Sequence, residues 1–123
     1  MGLLRIFILG LVGFVPMSAV AETYLLMAEE AGCIWCARWN AEVSEAYPKT
    51  AEGRAAPLRR YDIREGAPDG IDLDRRVSFT PTFILVRDGA EVGRIEGYPG
   101  EDFFWAVLNQ LLARAEIDLK KSG

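Results

Sequence analysis

Two cysteines stand three residues apart in Gly32-Cys33-Ile34-Trp35-Cys36, and they are the only cysteines in the 123-residue chain. Residues i and i+3 on a helical turn lie about 5–6 Å apart, within reach of a disulfide, so the bond can close and open with little backbone movement. The ring it closes is short. By chain-entropy reasoning it stabilises less than the ~3 kcal/mol expected of a loop of about 15 residues. A bond that adds little stability and switches readily suits thiol–disulfide exchange better than a structural staple. The chain has no histidine, which removes Cys–His and Ser–His catalysis and the commonest transition-metal ligand. Two cysteines also fall short of the four ligands of a closed zinc site. No metal and no cofactor is expected.

The flanking elements must place these sulfurs. Thr23 to Met27 reads as a short buried strand, with Ala28 to Gly32 as its exit loop. A helix then starts around Cys33, because Cys36, Trp39, Val43 and Tyr47 recur as one helical stripe. Arg38 and Glu42, four apart on another face, suit solvent. Cys33 therefore falls in the first turn, where free N–H groups and the helix dipole favour a thiolate. Cys36 falls one turn in, on the core stripe. The assignment follows that Cys33 is the nucleophile and Cys36 the resolving thiol.

Beyond Pro48 comes a polar connector, Lys49 to Pro57, with room for one more helical turn. Leu58 to Ile63 is a second strand of imperfect alternation. Arg64 to Gly70 is a loop, and Ile71 to Val77 is expected as a short helix. Thr82 to Val86, directly after Pro81, is the strongest strand in the sequence. Asp88-Gly89 signals a hairpin, and Glu91 to Glu96 returns with Gly93 marking a β-bulge. Glu101 and Asp102 open a long last helix whose buried stripe is Phe104, Val107, Leu108, Leu111 and Ala115. Lys120 to Gly123 reads as a frayed tail. The order β-α-β-(α)-β-β-α implies an α/β fold with a mixed four-stranded sheet: a helix joins a parallel pair, and the hairpin forces an antiparallel one.

With these elements placed, the chain resembles the thioredoxin family. The likeness rests on Cys33-Ile34-Trp35-Cys36 at a strand–helix junction, Thr80-Pro81-Thr82 before the buried strand, the Asp88-Gly89 hairpin, and Gly97 before the last helix. It implies a three-layer thioredoxin-like fold with Thr80-Pro81 as a cis peptide lying against the cysteines. In the family the backbone beside that proline pairs with an extended client chain, so Thr80 and Pro81 become substrate-contact candidates, with Trp35 as a surface aromatic beside them. The chain departs from the classical pattern. Gly32 replaces a tryptophan, Ile34-Trp35 replaces Gly-Pro, and Met27 stands where a buried acid is usual. Glu29 or Glu30 is left as the candidate proton relay, against the plainer reading of solvated loop acids. Around Cys33 to Asp62 the likeness narrows to the small thioredoxin-like proteins found with bacterial sulfur-oxidation systems. That implies protein disulfides as substrates, among them a sulfur-carrier protein, and a membrane thiol transporter as electron donor. Two other readings share these residues: a non-enzymatic binding module with a permanent disulfide, and a reductase serving cytochrome maturation.

The remaining sequence sets the compartment. Met1 to Arg5 is positively tipped, Ile6 to Val15 is uncharged, and Ala19-Val20-Ala21 offers a small-x-small cleavage pattern. Residues 1–21 therefore read as a signal peptide and 22–123 as one thioredoxin-like domain exported to the periplasm. The apolar run is shorter than the ~20 residues that span a bilayer. All 18 acidic residues lie after it, whereas Arg5 takes one of the 14 basic ones. This negative balance argues against nucleic acid or anionic lipid as partner. No long unsatisfied apolar stripe asks for a partner subunit, so a monomer is expected.

Overall fold

The computed structural model describes residues 22–121, together with 2 and 10–16. The remainder of the expected leader and the last two residues lie outside the described residues. Residues 10–16 have no regular structure, and Leu11, Val12, Phe14 and Val15 are exposed. Among the described residues no helix is long and apolar enough to cross a membrane.

Strand β1 (Thr23–Glu29) leads into helix α1 (Ile34–Trp39), which continues as a π-helical turn over Asn40–Ser44. A 3₁₀ turn (Tyr47–Lys49) and helix α2 (Ala51–Ala55) then return the chain to β2 (Leu58–Asp62). After a 3₁₀ turn at Ile63–Glu65 and an irregular segment come β3 (Thr82–Arg87), β4 (Ala90–Glu96) and α3 (Glu101–Arg114). The sheet order is β2-β1-β3-β4, with β1 and β2 parallel and the other two pairs antiparallel. Asp88 and Gly89 both have positive φ, as the tight hairpin between β3 and β4 requires.

One face of the sheet presents Leu25, Met27, Phe83, Leu85 and Ile95 to α1 and α3. The stripe Cys36, Trp39, Val43 and Tyr47 is buried there as expected, the wide π-helical turn keeping Val43 and Tyr47 in phase with Trp39. Trp39, Tyr47, Phe83 and Phe104 form one aromatic cluster. In α3 the buried residues are Phe104, Leu108, Leu111 and Leu112, whereas Val107 and Ala115 pack only at the margin. Leu112 was not in the expected stripe. The β-bulge lies where Leu85 faces Gly93 and Val86 faces Glu91, which leaves Val92 as the unpaired, exposed residue. Gly93 packs closely under the last helix, since a Cβ there would meet the end of the Leu111 side chain at 2.7 Å and oblige it to shift.

The opposite face, Tyr24, Leu26, Ala28, Ile84 and Val86, is covered by Ile71, Leu73 and Val77. Here the expected helix over Ile71–Val77 is corrected: the segment is irregular. Its backbone groups are taken by β4 instead. Asp72 N–H donates to the Gly89 carbonyl at 2.7 Å, and Glu91 N–H donates to the Asp72 carbonyl at 2.9 Å. The Arg94 guanidinium donates to the carbonyl oxygens of Arg75 and Arg76 while pairing with buried Glu91. A helix over Ile71–Val77 would leave the Asp72 N–H among its unpaired first four donors and the Arg75 and Arg76 carbonyls among its unpaired last four acceptors, groups that the irregular course satisfies. Of the expected frayed tail, Lys120 and Lys121 belong instead to a 3₁₀ turn, Leu119–Lys121, and Ser122 and Gly123 lie outside the described residues.

Candidate active site

Gly32, at φ +82°, turns the chain out of β1 and into α1. Cys33 then occupies the N-cap position that serine or aspartate usually fills. Its Sγ accepts the Cys36 N–H at 3.1 Å, while its own N–H donates to the Glu30 carbonyl at 3.3 Å. The two cysteines form a disulfide with Cα atoms 5.2 Å apart. They are inequivalent. Cys33 is half-buried at the surface, and Cys36 is 4% exposed and part of the core. Ile34 and Trp35 project outward at 74% and 49% exposure.

A cleft of about 350 Å³ opens beside the disulfide, lined by both cysteines and by Glu29, Glu30, Asn40 and Asp62. Glu29 and Asp62 lie opposite each other on the parallel strands β1 and β2. Neither carboxylate is unpartnered: Arg60 donates to Glu29 at 2.7 Å, and Arg64 donates to Asp62 at 2.8 Å. The Arg64 side chain and backbone N–H hold the Asp62 carboxyl below the usual carboxylate range. Glu30 accepts a hydrogen bond from the Thr80 hydroxyl at 3.1 Å. A larger cavity of about 460 Å³, lined by Tyr61, Arg64, Leu73 and Val77 among others, contains neither sulfur. The chemistry belongs to the smaller cleft.

The segment before β3 comes to the same place. The Thr80-Pro81 bond is cis, and Pro81 is buried. The Pro81 carbonyl accepts the Gly97 N–H at 2.7 Å. Phe79, next to Thr80, is 59% exposed. The buried Tyr98 donates its hydroxyl to Glu42 at 2.5 Å, and Glu42 accepts from Arg38 at 2.8 Å. The Arg38 guanidinium lies 5.7 Å from the Trp35 ring centroid. Arg38 first, then Tyr98, holds the Glu42 carboxyl below its ordinary value. Burial, reinforced by Glu42, pushes the Tyr98 phenol upward.

The structure thus brings Cys33, Cys36 and Glu30 to one cleft and ties Thr80 to it through Glu30, with the buried Pro81 next in the chain; Trp35 projects outward from the turn between the cysteines. Sequence reasoning missed Asn40, Asp62, Phe79 and Tyr98 as neighbours of the site; Arg38 and Glu42 are exposed as expected, but the Tyr98 hydroxyl on Glu42 was not foreseen. A signal existed for Tyr98, an aromatic enclosed by turn residues in Gly97-Tyr98-Pro99-Gly100. None existed for Asp62, whose place depends on strand register.

A bonded, inequivalent cysteine pair capping a helix, next to a cis-proline strand on a mixed sheet, is the constellation of thiol-disulfide oxidoreductases. The chain belongs to the thioredoxin family and is an enzyme of that class. It is 54% identical to the periplasmic thioredoxin SoxS from Paracoccus pantotrophus, solved in its reduced form, with a TM-score of 0.75 over 76% of this chain and 99% of that one. No protein-family model matches the sequence, and no curated protein does.

Proposed function

We propose that this protein is exported to the periplasm, with cleavage after Ala21, and acts there as a reductase for cysteines of sulfur-oxidation proteins. The observation that carries this reading is the 54% identity to the periplasmic SoxS across 99% of that chain. It joins the bonded pair in which one sulfur is accessible and the other is shielded. In the reduced protein, the Cys33 thiolate attacks one sulfur of a client disulfide. The Cys33–client bond forms, and the client's other sulfur leaves and takes up a proton. Cys36, deprotonated, then attacks Cys33 Sγ. The Cys33–Cys36 bond forms, the client's second thiol is released, and two electrons have passed to the client. An external dithiol restores the protein. A membrane thiol transporter fills that place for an exported protein, and a sulfur-carrier protein is among the clients. Trp35, Thr80 and Pro81 contact the client's chain, and the protein works as a monomer without metal or cofactor.

Two features support the reducing direction. A strong oxidant needs its reduced, thiolate form stabilised, usually by positive charge at the attacking sulfur. Here Ile34 and Trp35 bring no charge, and the carboxylates of Glu29, Glu30 and Asp62 line the same cleft as the sulfurs. The test is covalent capture. The Cys36→Ser protein, expressed with its leader, accumulates client proteins as mixed disulfides through Cys33, released by dithiothreitol and identified by mass spectrometry. Recovery of none from periplasm sinks the reading. A measured reduction potential below about −300 mV, the range of structural bridges, would instead favour the binding module with a permanent disulfide.

A further inference from the structure

The disulfide follows β1 and the Pro81 segment precedes β3, and the pairing of Ala28 with Thr82 brings the two strands side by side up to that point. Beyond the last paired residues, two hydrogen-bonded carboxylates tie the segments together. At the loop end, Glu30 accepts the Thr80 hydroxyl at 3.1 Å, and its carbonyl accepts the Cys33 N–H at 3.3 Å. At the helix end, Glu42 accepts the Tyr98 hydroxyl at 2.5 Å, one residue from Gly97, whose N–H is bound to the Pro81 carbonyl. These contacts close a circuit around the working surface: Cys33, Glu30, Thr80-Pro81, Gly97-Tyr98, Glu42 and back along α1. Arg38 extends the helix-end contact outward, holding Glu42 at 2.8 Å on one side and the Trp35 ring on the other.

We propose that Glu30 and Glu42 are positioning residues, two clamps that fix the width of the groove in which an extended client chain lies between Trp35 and Pro81. Neither touches the reacting sulfurs through its carboxylate. The clamps act on binding of a chain long enough to occupy the groove. They leave exchange with a disulfide too small to reach Pro81 unchanged. This rests on the assignment of Cys33 and Cys36 as the exchange centre.

The experiment compares reduction of insulin, a protein disulfide, with reduction of cystamine, which has no peptide backbone, both at fixed dithiothreitol. Loosening one charge-assisted hydrogen bond in Glu42→Ala or Glu30→Ala raises KM for insulin by about threefold to tenfold at unchanged kcat. Cystamine turnover by Glu42→Ala stays at the wild-type value. Tyr98→Phe, which keeps the buried ring and removes only the hydroxyl, reproduces the Glu42→Ala shift, and Glu42→Gln, which keeps an acceptor for Tyr98, recovers most of it. An unchanged insulin KM in Glu30→Ala, Glu42→Ala and Tyr98→Phe overturns the inference, and so does a parallel fall of insulin and cystamine turnover. Wild-type protein that fails to turn over cystamine at all overturns the exchange-centre assignment itself, a result separable from either of those.

Discussion

Cys33 and Cys36 share one helical turn yet meet different surroundings, because one caps the helix at the surface and the other points to Trp39 and the sheet. The difference predicts a sharp asymmetry. Cys33→Ser abolishes both turnover and capture of clients, whereas Cys36→Ser keeps the first attack and stalls there; gel mobility under non-reducing conditions reads this directly. Trp35 is half-exposed and belongs to neither core cluster, its ring meeting the exposed Arg38, so Trp35→Ala alters stability by no more than about 1 kcal/mol while raising the insulin KM. Chemical denaturation and steady-state kinetics on the same protein separate the two effects. Glu42 also carries a pH signature. Its folded carboxyl is held below the ordinary value of 4.5 by Arg38 and Tyr98, so its contribution is present above that value. It is lost as pH falls through the depressed folded value. The stability difference between wild type and Glu42→Gln is accordingly expected to vanish on acidification, which denaturation curves taken down to acid pH would show.

At the scale of elements, the site depends on three junctions. The first is the turn from β1 into α1, where Gly32 supplies the positive φ. The second is the packing of α2 on the end of the first helical run. A Cβ on Gly53 would fall 1.8 Å from the Tyr47 carbonyl oxygen, an overlap with backbone that no rotamer relieves. Gly53→Ala should therefore cost about 1–3 kcal/mol, and thermal unfolding monitored by circular dichroism would detect it. The third is the irregular segment over the back of the sheet. Its tie is Arg94, which with Glu91 forms a buried ion pair and reaches the Arg75 and Arg76 carbonyls. Removing the guanidinium in Arg94→Ala leaves Glu91 buried without its cation, at a cost of roughly 3–5 kcal/mol. Limited proteolysis should then cut within residues 66–77, and resistance there equal to wild type would sink this account. The helix expected at Ile71–Val77 did not form for the same reason: Ile71, Leu73 and Val77 are all drawn onto the sheet, and backbone groups that so short a helix would leave unpaired find partners at the β3–β4 hairpin and on Arg94.

For the molecule as a whole, the chemistry sits at one end of a small sheet whose two faces are sealed by different means. Helices cover one, and a loop segment pinned to β4 covers the other. The disulfide lies at the edge of this architecture and closes a ring too short to constrain the unfolded chain much. Reduction is therefore expected to shift the melting temperature only slightly, while a client-bound mixed disulfide changes the exposed surface around Trp35. Much of this was legible in the sequence. The Cys-x-x-Cys pair, the core stripe from Cys36 to Tyr47, the Asp88-Gly89 hairpin and the strand after Pro81 are local patterns, and local patterns follow from side-chain periodicity and turn geometry alone. The inequivalence of the sulfurs followed too, since position within a helical turn decides which side faces the core. What only the tertiary structure decided is which distant groups stand beside them. Asp62 enters the cleft through the register of β2 on β1, Thr80 meets Glu30 across fifty residues of chain, and Tyr98 closes on Glu42 because Gly97 is bonded to Pro81. Such pairings depend on how strands align and how loops converge, and no spacing within a single segment encodes them.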